Sequence, residues 1–221
     1  MIRRLRTEGN RKRMGRLAAL TAAATIATSA LAAVPAAADD PVEFPVSFAV
    51  TGSTVVKKTG SAMKLGPGKL DGALIVTETS LGIRGDLSLP TSKADISLVA
   101  GLFRIKATVK VVPVGQVTGT LKNGDLNTHA QANMEISDIW AGPIVPIFPL
   151  PTVPSSCKTV SPINLDLSAK NVDVFTDPKI TVTGSYTIPS FKDCFIADLA
   201  LGALVSGPGN TISLDLVSNQ N

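Results

Sequence analysis

The sequence predicts an all-β protein, an antiparallel β-sandwich or barrel with at most one short helix. Apolar and polar residues alternate along most of the chain, which places one face of each segment on a core and the other in water. The alternating runs are short and bounded by Gly, Pro, Asn or Asp. Strands do not alternate with helices and no Gly-x-Gly-x-x-Gly turn follows a strand, so a doubly wound nucleotide fold is not expected.

In chain order, strands are expected at 44–51, 70–78, 81–89 and 94–100, each rich in β-branched or large apolar residues. The clearest run follows, where Phe103, Ile105, Ala107, Val109 and Val111 alternate with Arg104, Lys106, Thr108 and Lys110. Segments 116–122 and 125–137 flank Asn123-Gly124, whose residues tolerate the positive φ of a two-residue type I′ turn, so the pair predicts a hairpin. Further strands are expected at 162–168, 179–188 and 211–217. A single helix is expected over 195–205, where Ile196, Leu199, Ala200 and Ala203 recur at helical spacing.

Segment 139–156 stands apart, with prolines at 143, 146, 149, 151 and 154. Five missing donors argue against a central strand or a helix. Its Trp140, Ile144, Ile147, Phe148 and Leu150 nevertheless need cover from water. It is read as an extended lid over one end of the fold. The sharper reading makes the same side chains the rim of an apolar ligand groove or an exposed contact patch.

The first 16 residues are strongly basic and 17–34 carry no charge, ending in Pro35-Ala36-Ala37-Ala38. That order reads as a signal peptide cleaved after Ala38, leaving 39–221 as one secreted β domain with no transmembrane segment. Arg3-Arg4 and the mild Ala-rich core fit either general or twin-arginine export. The first 38 residues hold seven of the 21 Lys and Arg and one of the 17 Asp and Glu, so the remainder carries −2. A basic nucleic-acid surface is therefore not expected.

Cys157 and Cys194 are the only cysteines, and an even, minimal pair in an exported protein reads as one disulfide. A metal pair is the rival, but two Cys with a single distant His do not complete a tetrahedral site. No metal or other cofactor is expected.

His129, the only histidine, lies on the polar face of its strand, and no Gly-x-Ser-x-Gly elbow exists to supply a nucleophile. Glu43, Glu78 and Glu135 lack an aromatic neighbourhood on which a sugar could stack, and read as surface charge. Lys57, Lys58, Lys64 and Lys69, around Gly66-Pro67-Gly68, read as a solvated basic loop, or as a contact to anionic envelope polymers or lipid head groups.

Three stretches of the C-terminal third, CKTVSPI from Cys157, GSYTIP from Gly184 leading to Cys194, and ALVSGPGNTI from Ala203, resemble a pattern in small secreted proteins of actinobacteria whose function is unknown. The resemblance implies an envelope or extracellular role, supports the Cys157–Cys194 bond and carries no catalytic residues. The reading that results is a non-enzymatic, secreted β protein with a binding or structural role at the cell envelope, its candidate partners an envelope polymer or lipid. A carrier of an apolar ligand is the alternative, and a secreted hydrolase the third reading, one that needs His129 in a cleft beside a Ser or Asp. The first two differ in the core: a carrier needs a deep cavity where a scaffold has a filled interior.

Overall fold

The computed structural model of the chain describes residues 41–78, 80–98, 103–143, 157–195 and 197–219. It is an antiparallel β-barrel with additional strands outside the barrel and one short helix. The elements are β1 (Val42–Val56), β2 (Ser61–Val76), β3 (Leu81–Ser88), β4 (Ser92–Leu98), β5 (Phe103–Pro113), β6 (Val117–Lys122) and β7 (Asp125–Pro143). They continue with β8 (Lys158–Thr159), β9 (Ile163–Ala169), β10 (Lys179–Ile188), β11 (Phe191–Lys192), α1 (Ala197–Leu204) and β12 (Gly207–Ser218).

Eight strands close the barrel in the order β7-β6-β3-β2-β1-β12-β10-β9, and β9 returns to β7 with Leu126 opposite Ala169 and Ala132 opposite Ile163. Closure removes the edges that an open sheet leaves unpaired. The period-two pattern decides what faces inward: Phe48 and Val50, Leu165 and Leu167, Ile180 and Val182, and Leu214 and Leu216 are all buried. Their neighbours in sequence point to solvent. Each large apolar side chain removed from water contributes about 1.5–3 kcal/mol.

The Asn123-Gly124 turn joins β6 to β7 as expected, with φ of 54° and 81°. Strands β1, β2, β7 and β12 are longer than the alternation predicts, and in β2 and β7 a bulge explains it. In β2 the buried positions run Met63, Leu65 and then Leu70, Leu74, an odd phase followed by an even one. The change falls at Gly66-Pro67, where the register with β1 slips between Val50 and Gly52. Gly66 has φ +82° and a Cβ there would lie 2.4 Å from the Val50 carbonyl oxygen, so only glycine fits this bulge. The basic loop is thereby corrected: Lys57 and Lys58 form the β1–β2 turn, whereas Lys64 and Lys69 stand on the outer face of a strand.

The start of segment 139–156, read as an extended lid rather than a central strand, is the end of a strand, because β7 runs on to Pro143 and there pairs with β5. It does so through a second bulge at Asp138, whose φ is 50° and which sits where the register with β5 slips between Lys106 and Thr108. Past Ala132, β7 leaves the barrel wall and pairs with β5, which pairs in turn with β4. Residues 144–156, with Ile144, Ile147, Phe148 and Leu150, lie outside the described residues.

The helix forms where expected, but not with the whole of the expected stripe facing inward. Ala197, Leu201, Leu204 and Val205 pack inward, while Ala203 is exposed. Cys157 and Cys194 are joined by a disulfide and both are fully buried.

Candidate functional site

The β4–β5–β7 extension, the end of the barrel and α1 enclose a cavity of about 270 Å³. Each wall follows from a local rule. β5 turns Ile105, Ala107 and Val109 inward by alternation, and β7 adds Met134, Ile136 and Ile139, the last brought to the same side by the Asp138 bulge. Val56 and Met63 close the barrel side, and Leu201 and Leu204 of α1, with Val205 just after it, form the roof. Alanines at 94, 107 and 197 leave the space that larger side chains would fill.

The roof is held at both ends. At the start of α1 the Cys194 amide donates to Asp198 Oδ1 at 3.1 Å, beside the disulfide. At its end Lys58 Nζ donates to the carbonyls of Gly202 (3.3 Å) and Ala203 (3.1 Å), satisfying oxygens that an α-helix leaves without partners.

The deep wall carries the polar pair Thr54 and Tyr186, whose hydroxyl oxygens are 2.6 Å apart. Thr54 Oγ1 also donates to the Thr211 carbonyl at 2.8 Å. Burial pushes the Tyr186 phenol above its ordinary pKa, partly offset by the bond to Thr54. Behind this pair lies a second, smaller apolar cavity of about 40 Å³ inside the barrel, and Thr54, Met63, Met134 and Tyr186 line both.

The residues singled out from sequence fall elsewhere. Trp140 is half-buried on the face opposite Ile139, its indole over Gly142, and does not line the cavity. His129 is on the outside of the barrel, with Nδ1 2.7 Å from Asp166 Oδ1 and side-chain exposures of 49% and 77%. The pair sits in a shallow groove with Thr118, Thr120 and Ser168. His129 thus has the carboxylate neighbour that the hydrolase reading asks for, on an open face of the barrel rather than in a deep cleft. His129→Ala is expected to change stability by no more than about 1 kcal/mol in urea unfolding, the range of exposed polar pairs.

Glu43 pairs with Arg84 at 2.7 Å and Glu135 with Lys110 at 3.4 Å, both as surface contacts. Among the described residues no cluster of His, Cys, Asp and Glu could hold a metal ion, and no helix is long and apolar enough to cross a membrane.

The fold and site together define an antiparallel β-barrel with a roofed apolar cavity at one end. No family model matches the chain, and no curated protein or solved structure is similar to it.

Proposed function

We propose that the protein is exported and serves outside the cell as a binding protein for a small apolar ligand, held in the cavity beneath α1. The observation that carries this reading is the cavity itself, about 270 Å³ with an almost wholly aliphatic wall. An apolar cavity of about 150 Å³ stays dry and takes up benzene, so a larger one lined by Ile, Val, Leu and Met has room for a bigger apolar molecule. A scaffold needs a filled core, and an empty space of this size costs it stability. The hydroxyls in the wall are committed to each other and to a backbone carbonyl rather than to a base, which suits binding and not turnover. The disulfide and the basic-then-apolar N-terminal segment support export to an oxidising compartment.

The test is binding of the neutral dye N-phenylnaphthylamine, whose emission rises in an apolar site. The folded protein is expected to enhance it. Ala107→Phe, which places a ring in the empty space, is expected to weaken binding at least about tenfold without lowering the melting temperature. Enhancement that is unchanged in Ala107→Phe places the dye elsewhere and removes the support for this cavity as the binding site.

A further inference from the structure

The hydrogen-bond inventory of the deep wall restricts what the polar end of such a ligand can be. Thr54 Oγ1 carries one proton and gives it to the Thr211 carbonyl, which can only accept. The short contact between Thr54 and Tyr186 therefore has the phenol as donor and the threonine oxygen as acceptor. Both protons are spent. What the Tyr186 oxygen keeps is acceptor capacity, and burial holds the phenol in its neutral form.

Two further polar residues, Asp95 and Ser61, line the cavity. The Asp95 carboxylate is about half exposed and lies 3.8 Å from Arg104 Nε. Ser61 is half-buried at the start of β2, beside the β1–β2 turn. The nearby Lys58 ammonium is engaged by the last carbonyls of α1. The deep wall thus offers a lone pair, whereas a carboxylate requires donors and would lose its hydration there.

We propose that the ligand is a neutral, mainly aliphatic compound bearing a hydroxyl, whose proton is accepted by the Tyr186 oxygen at the deep wall. This rests on the apolar-binder reading and adds the polarity of the ligand's end. A site built to pair a hydroxyl discriminates against an analogue lacking it, because a buried polar group is then left without a partner.

Competition against N-phenylnaphthylamine by octanol, heptyl methyl ether and octanoate tests it. Octanol and the ether contain the same number of heavy atoms, and only octanol can donate. The full-length mature protein is expected to bind octanol about tenfold more tightly than the ether, the worth of one hydrogen bond, and octanoate more weakly than octanol. In Tyr186→Phe the alcohol should lose its advantage over the ether, to within about threefold, while the dye still binds. Equal affinities for octanol and the ether in the unmodified protein, or a preference for octanoate, overturn the hydroxyl assignment and leave the apolar cavity standing. Failure of the dye and all three competitors to bind overturns the reading beneath it, which is a different outcome. The comparison in the unmodified protein decides the question even if the variant does not fold.

Discussion

Replacing Cys157 and Cys194 together by serine is expected to lower the stability of the folded domain by about 3–4 kcal/mol, a large share of what holds a domain of this size together. The crosslink spans a sequence separation of 37, and the open chain recovers the closure entropy of that loop. The loss is also placed where it affects the site. The Cys157 carbonyl accepts the Ile136 amide at 2.9 Å, so one half of the disulfide is fastened to the cavity strand. Cys194 begins the turn into α1, whose first amide, from Ala197, donates back to the Cys194 carbonyl at 3.1 Å. The double serine variant is therefore expected to unfold at lower urea and to bind N-phenylnaphthylamine more weakly under conditions where it is still folded. Unchanged urea midpoints with and without the bond would contradict this role.

Gly72→Val is expected to cost about 3 kcal/mol or more and to reduce soluble yield, among the largest effects of any single substitution in the barrel wall. Gly72 sits in β2 opposite Gly85 of β3. A Cβ on it would lie 2.0 Å from the Arg84 carbonyl oxygen and 2.5 Å from the Gly85 Cα, both backbone atoms that no rotamer change can move. Strands that bend to close a barrel bring backbones this near, and the absence of a side chain permits the bend. Gly82, a few residues away on β3, is the control. A Cβ there meets nothing nearer than 3.6 Å, so Gly82→Ala should leave stability within about 0.5 kcal/mol or raise it slightly.

The parts of the fold that follow a local rule without interruption are legible in the sequence. β10 spans 179–188 as expected, and β5 and the β6–β7 hairpin stand where alternation and Asn123-Gly124 place them. The rule breaks at bulges, which shift the phase of burial by one residue and make one strand look like two pieces. Gly66-Pro67 hides the first half of β2 in this way, and Asp138 hides the last turn of alternation in β7. Proline content misleads at 139–143 for a related reason: the residues before Pro143 can pair with β5, and the proline falls only at the strand end.

The cavity was the least legible feature. Trp140 draws notice because large aromatic residues usually mark an apolar site, yet this cavity is built from ordinary aliphatic positions on β5, β7 and α1. Its sequence signal is the smallness of Ala94 and Ala107 within otherwise bulky alternating runs, and that becomes meaningful only once the strands are known to face α1. The hydroxyl pair is less visible still, since Thr54 and Tyr186 are 132 residues apart and meet only through the β1–β12–β10 pairing.

Native mass spectrometry of the protein taken directly from its own secretion medium tests the central claim most directly. The binding account predicts a co-purifying neutral apolar compound, released on denaturation and missing from Ala107→Phe secreted by the same cells. A bare polypeptide mass from that medium, together with no binding of N-phenylnaphthylamine by the same sample, would contradict it.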